Sequence, residues 1–136
     1  MTMKAVRFTV PGAPPVVETV PIPTPGPGQV LVRIGGAGVC HSDLHVLDHG
    51  APGFHGPFTL GHENAGWVAA LGAGVSGWKE GDPVAVYGFW GCGHCHACLL
   101  SMESSCENAE HLPNNGGGIG TDGGMAEYLL VPATRY

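Results

Sequence analysis

Four cysteines, Cys92, Cys95, Cys98 and Cys106, fall within fifteen residues at the spacing C-x2-C-x2-C-x7-C. Two-residue gaps turn successive sulfurs toward one centre. A short loop then returns a fourth sulfur to complete a tetrahedron, the closed all-thiolate geometry of structural zinc. An iron–sulfur cluster shares the first two gaps, but the bacterial ferredoxin run has its fourth cysteine after three residues and then a proline. Here seven residues intervene and Glu107 follows. Disulfides would require an oxidising compartment and would leave the fifth cysteine, Cys40, odd. The spacing points to zinc. A site closed by four thiolates holds a loop in shape and performs no chemistry.

Chemistry needs an open site, and Cys40 has informative neighbours: Gly38-Val39-Cys40-His41-Ser42-Asp43-Leu44-His45, with Gly61-His62-Glu63 downstream. A thiolate is a soft zinc ligand, an imidazole a borderline one, and Glu63 sets a carboxylate beside them. Catalytic zinc takes three protein ligands and leaves a position for water or substrate. The same residues also read as a buried cysteine and a surface histidine. Eight histidines in 136 residues make a chance neighbour easy to find. Residue types alone leave both readings open.

The elements that position these residues are short strands. Hydrophobic residues make up 43% of the chain and charged ones 12%, so the composition is that of a single globular domain. Glycine (24) and proline (12) divide the apolar runs into pieces too short for long helices. Strands are expected at Met3 to Val10, at Gln29 to Ile34 before a break at Gly35-Gly36, at Asn64 to Leu71, at Asp82 to Val86 and at Met125 to Val131. Val16 to Val20, among the proline-rich residues 11 to 28, reads as an edge strand, since proline cannot donate to a ladder. Ser42 to Asp48 is expected to form one or two helical turns with Ser42 as the cap. Ala51 to Pro57 reads as loop. The expected architecture is a β-barrel of short strands with brief helical turns near Ser42 and in the cysteine loop.

Two G-x-G-x-x-G matches, Gly72 to Gly77 and Gly118 to Gly123, lack the strand-to-helix context in which such glycines hold a pyrophosphate. Both read as turns. The formal charge of −6, which four thiolates and one Zn²⁺ would take to about −8, opposes binding to nucleic acid or an anionic membrane. No apolar run has the length of a membrane span, and the start Met1-Thr2-Met3-Lys4 runs straight into a strand. A reducing cytoplasm is expected.

In order and spacing, the Cys40–His45 segment, Gly61-His62-Glu63-x-x-Gly66, the four-cysteine loop and the approach Asp122-Gly123-Gly124-Met125-Ala126-Glu127-Tyr128 resemble the zinc-dependent medium-chain alcohol dehydrogenases. The likeness spans the chain. It implies a GroES-like domain, mainly β, a partly open barrel with short helical turns and a zinc-binding loop, over residues 1–136. It also implies that the family's Rossmann NAD(P)-binding domain, and its third protein ligand to the catalytic zinc, lie beyond Tyr136. By the same resemblance Cys40 and His62 are ligands of a catalytic zinc, with Glu63 at the edge of its coordination. Asp43 accepts the His62 ring N–H, Ser42 meets the substrate oxygen, and His45 carries the proton onward. His41 faces the cofactor pyrophosphate. Cys92, Cys95, Cys98 and Cys106 hold the structural zinc.

The implied reaction interconverts alcohols with ketones or aldehydes. Zinc eases loss of the hydroxyl proton, and hydride passes between substrate and nicotinamide. Phe54, Phe89 and Trp90 are candidate walls of a substrate pocket, with core packing as the plain alternative. In the complete enzyme a small alcohol or carbonyl substrate, NAD(P) and homo-oligomerisation are expected. The chain alone is expected to keep its structural zinc full, its catalytic site partly filled or empty, and to be inactive. The alternative is a stand-alone zinc-stabilised GroES-like binding module without catalysis.

Overall fold

The structure, a computed structural model, describes residues 1–51, 56–112 and 116–133. Among these residues seven strands form two antiparallel sheets. The first has the order β2-β1-β4, from β1 (Thr2–Phe8), β2 (Val16–Pro21) and β4 (Phe58–Thr59). The second has the order β6-β5-β3-β7, from β3 (Gln29–Gly38), β5 (Glu63–Leu71), β6 (Pro83–Val86) and β7 (Tyr128–Pro132). The sheets are stitched but not closed. Ala5 bridges Ala126, Val6 N–H donates to the Met125 carbonyl, and Ile34 N–H donates to the Glu127 carbonyl. The segment before β7 therefore pairs with β1 and then passes to β3, which makes the partly open barrel. No helix among the described residues is long and apolar enough to cross a membrane.

Alternation decides which faces are buried. In β1, Met3 and Ala5 are buried on one face and Phe8, beside Val6, on the other, while β2 lies exposed at the sheet edge, where Pro21 costs no ladder bond. The central strand β3 buries Val30 and Val32 against Val68, Trp90, Leu129 and Val131. A second cluster joins Phe8, Phe58 and Leu60 to Val46 of helix α1 (His41–His49). Phe8 and Phe58 rings lie 5.0 Å apart. That cluster docks a nine-residue helix too short to be stable alone.

Several sequence expectations need correction. β1 ends at Phe8, and Val10 is exposed. β3 does not break at Gly35-Gly36 but runs on to Gly38 through a register shift between Ile34 and Gly36. The glycines are there for closeness: a Cβ on Gly35 would lie 2.6 Å from the Trp67 ring, and one on Gly66 of β5 only 2.0 Å from the Arg33 carbonyl. The strand expected from Met125 begins as a ladder only at Tyr128. The two-residue β4 was not legible, being a brief pairing with Arg7 and Phe8. Cys40, not Ser42, caps α1.

Candidate metal centres

Strand register brings the first site together. Gly38, the last residue of β3, pairs with Glu63, the first of β5. Cys40 follows that pair by two positions on one strand and His62 precedes it by one on the other, so the two side chains meet. Cys40 is extended at φ −127°, ψ 179°, and its sulfur accepts the Ser42 N–H at 3.3 Å. In return the Cys40 N–H donates to Asp43 Oδ2 at 2.9 Å, a reciprocal capping arrangement. Cysteine is not a preferred N-cap; it serves here because its sulfur accepts the Ser42 N–H while Asp43 returns a bond to its backbone.

The His62 ring lies between two partners. Its Nε2 is 3.1 Å from Cys40 Sγ, and its Nδ1 is 3.5 Å from Asp43 Oδ1. Asp43 and His62 side chains are 3% and 15% exposed, and Asp43 Oδ1 and His62 Nδ1 face each other buried without a hydrogen-bond partner. The carboxylate therefore selects the Nδ1–H tautomer and leaves the Nε2 lone pair facing sulfur. Two electron-rich atoms at 3.1 Å need a cation or proton between them. Bond lengths to zinc of about 2.3 Å for sulfur and 2.0 Å for nitrogen at a tetrahedral angle give an S···N edge of about 3.5 Å, close to that observed. A carboxylate oxygen of the exposed Glu63 completes a set whose ligand atoms lie within 4.8 Å of one another. The donor set fits a metal.

The other sequence-predicted residues lie around it. Ser42, His41 and His45 are exposed on α1. His45 sits between the rings of His41 (centroids 4.8 Å apart) and His49 (6.1 Å). Trp90 takes the core-packing alternative, buried in the main cluster with its indole N–H donating to the Tyr87 carbonyl at 2.8 Å. Phe89 is exposed and meets Tyr87 edge to face at 6.1 Å. Gly88 between them lies near the backbone of His62: a Cβ there would come 3.5 Å from the His62 carbonyl. Phe54 lies outside the described residues.

The four-cysteine loop forms the second centre. Helix α2 (His96–Leu99) and two 3-10 turns, Glu103–Ser105 and Ala109–His111, fold Cys92, Cys95, Cys98 and Cys106 around one point. Sulfur–sulfur distances of 4.0 Å for Cys92–Cys98 and Cys95–Cys106 match the edge of about 3.8 Å that a zinc tetrahedron implies. No pair approaches the distance of about 2.0 Å of a disulfide. Backbone N–H groups of Cys92, Cys95 and Cys98 donate to the sulfurs of Cys106, Cys92 and Cys95. Asn108 Nδ2 donates to Cys92 Sγ at 3.3 Å. That bond, followed by the His94 backbone N–H, holds the Cys92 thiol down to about 5, whereas burial pushes Cys98 up to about 12. The loop fits one divalent, thiophilic ion.

Sequence reasoning missed Asn108 and Tyr87. The signal for Asn108 was an amide two residues past the last cysteine, within reach of the same centre. It read Gly118 to Gly123 as a turn without finding what that turn packs against. Cβ atoms on Gly118 and Gly123 would lie 2.3 and 2.2 Å from the Gly61 carbonyl, so this turn is a cradle for the backbone just before His62. Arg7 anchors it, donating to Thr59 Oγ1 and Asp122 Oδ1.

The chain belongs to the family of the alcohol dehydrogenase GroES-like domain, which it matches over residues 26–136. It is 40% identical to an NAD-dependent alcohol dehydrogenase of Sulfurisphaera tokodaii over 98% of this chain and 40% of that protein. A thermostable alcohol dehydrogenase from Pyrobaculum aerophilum superposes with a TM-score of 0.87 at 39% identity, over 100% of this chain and 42% of that one. A cobalt- and zinc-bound structure of a thermostable alcohol dehydrogenase from the same organism gives 0.85 at 40% identity, over 98% of this chain and 40% of that one. The chain thus spans about two fifths of the length of the relatives it matches.

Proposed function

We propose that residues 1–136 form the zinc-bearing catalytic domain of an NAD(P)-linked alcohol dehydrogenase or carbonyl reductase, acting on a small alcohol, ketone or aldehyde. The observation that carries this reading is the Asp43–His62–Cys40 constellation, with Glu63 within reach. When bound there, zinc supplies Lewis-acid polarisation of the substrate oxygen. Cys40 and His62 hold it, and Glu63 stands by as an exchangeable carboxylate. Asp43 orients the imidazole and fixes its tautomer. The exposed Ser42 hydroxyl takes the substrate hydroxyl proton and His45 carries it to solvent. His41 meets the cofactor pyrophosphate, and Tyr87 with Phe89 forms an apolar wall for the substrate. Trp90 supports that wall from the core.

The four-cysteine loop holds a structural zinc and takes no part in the chemistry. No G-x-G-x-x-G fingerprint lies between a strand and a helix among the described residues, so none of them forms the usual dinucleotide cradle. Without a hydride acceptor held in place, the positioning contribution of about 7–11 kcal/mol is missing and the isolated chain turns over slowly or not at all. The complete enzyme is a cytoplasmic homo-oligomer that binds neither nucleic acid nor membrane.

The test is the cobalt-loaded chain titrated with a primary alcohol and, separately, with imidazole. A shift in the cobalt d–d bands, lost in Cys40→Ser, is expected from a site with an open position. Cobalt bands that ignore both probes, with the same spectrum in Cys40→Ser, would overturn the reading in favour of a zinc-stabilised binding module.

A further inference from the structure

The residue before His62 is a glycine at positive φ: Gly61 lies at +97°. Without a Cβ it leaves the peptide that enters His62 free to turn. That peptide is planar, with the Gly61 carbonyl at one end and the His62 N–H at the other, so holding the carbonyl fixes where the imidazole starts. The carbonyl accepts the Gly124 N–H at 2.9 Å and Asn64 Nδ2 at 3.1 Å. Asn64 belongs to β5 and is 6% exposed. Its amide presses against Gly124, where a Cβ would overlap Asn64 Oδ1. One side chain thus ties the strand after His62 to the peptide before it and to the glycine turn opposite.

The amide is costly to keep there. Asn64 Oδ1 is buried and has no hydrogen-bond partner. The reverse orientation would set two oxygens face to face, so Nδ2 belongs on the Gly61 side. A half-satisfied amide in a core is less stable than an apolar side chain that fits the same space. A residue that breaks this rule is explained by what it orients.

We propose that Asn64 is a positioning residue for His62, acting through the Gly61 carbonyl to hold the ring between Cys40 Sγ and Asp43 Oδ1. The proposal rests on the reading of Cys40–His62 as the open metal centre. Ligand atoms must stay within about 0.2 Å of their bonding distance, so a turn of the preceding peptide releases the imidazole. Asp43 and Asn64 have different tasks. Asp43 decides which ring nitrogen is bare, and Asn64 decides where that nitrogen lies.

The test compares the parent with Asn64→Ala, which removes the donor, and with Asn64→Asp, which keeps its shape but not its N–H. Val68→Ala, a truncation in the main core cluster on the same strand, is the control for lost stability alone. In the metal-free chain at neutral pH, nitrogen NMR of the His62 ring should show the Nδ1–H tautomer in the parent and in Val68→Ala. Folded Asn64 variants should show both tautomers, because the ring has left Asp43. With Co²⁺, their weaker absorption phase should move to about tenfold higher metal, while the four-cysteine phase stays in place. Val68→Ala should unfold earlier in urea yet bind Co²⁺ as the parent does. Parental ring spectra or an unmoved weaker phase in the folded Asn64 variants would overturn the positioning role, as would an equal disturbance in Val68→Ala. A parent that takes up no second Co²⁺ would instead overturn the metal reading, and the ring spectra would still decide what Asn64 does.

Discussion

Replacing Asp43 by Asn changes one oxygen to an amide nitrogen in a buried residue, so volume and packing stay as they are. Its carboxylate has two tasks: Oδ2 accepts the Cys40 N–H at 2.9 Å, and Oδ1 faces His62 Nδ1 at 3.5 Å. A carboxamide that keeps the first bond turns its NH₂ toward the imidazole. Two donors then face each other, and the ring must move its proton to Nε2, on the sulfur side. The lone pair that a metal needs is gone. Loss of the charge at the helix start and of a charged hydrogen bond costs about 1–3 kcal/mol of stability. Loss of the orienting carboxylate weakens metal at Cys40–His62 by about 10–100-fold. The assay is Co²⁺ titration followed by thiolate-to-cobalt absorption, with thermal unfolding in parallel. The four-cysteine loop should titrate as in the parent while the weaker phase moves to higher Co²⁺. Parental affinity in the weaker phase of a folded Asp43→Asn chain would refute the orienting role.

Asn108→Ala removes the side-chain donor to Cys92 and should speed transfer of the loop metal to a chelator by about tenfold. Because Cys98 is pushed up to about 12 by burial, metal must displace its proton, so apparent affinity of the loop falls as pH falls. Equal release rates in parent and variant, or pH-independent affinity, would contradict this. Gly66→Ala forces a Cβ to within 2.0 Å of the Arg33 carbonyl and must part β3 from β5. A loss of at least about 1–3 kcal/mol is expected in urea unfolding, and an unchanged midpoint would show the backbone gap is not needed.

The clustering of the four cysteines was legible because they are close in sequence, so spacing alone brings their sulfurs together. The Cys40–His62 pair was not legible from residue types. It depends on the Gly38–Glu63 register, a long-range pairing that no local pattern announces, and the family resemblance supplied what the residues did not. The strands of alternating residues, β1 and β5, were readable from period, and β2 from its prolines. The continuation of β3 through Gly35-Gly36 was hidden because the strand tolerates glycine where Trp67 crowds it. The cap was misplaced for a related reason. Serine is the better N-cap by propensity, but the reciprocal capping bonds with the first turn are made by Cys40. Trp90 was indistinguishable in sequence from a pocket wall, since burial in a core leaves no mark on its neighbours.

The claim on which the whole account rests is that this chain has two separate metal centres, one closed by four thiolates and one open at Cys40–His62. Metal content per chain after zinc loading and stepwise chelator competition measures it directly, in the parent, Cys40→Ser and Cys95→Ser. Two zinc populations are predicted in the parent, a tightly held one and a weakly held one. Cys40→Ser should lose only the weak population, and Cys95→Ser the tight one together with thermal stability. A single population untouched by Cys40→Ser, or iron with sulfide in place of zinc, would contradict the account.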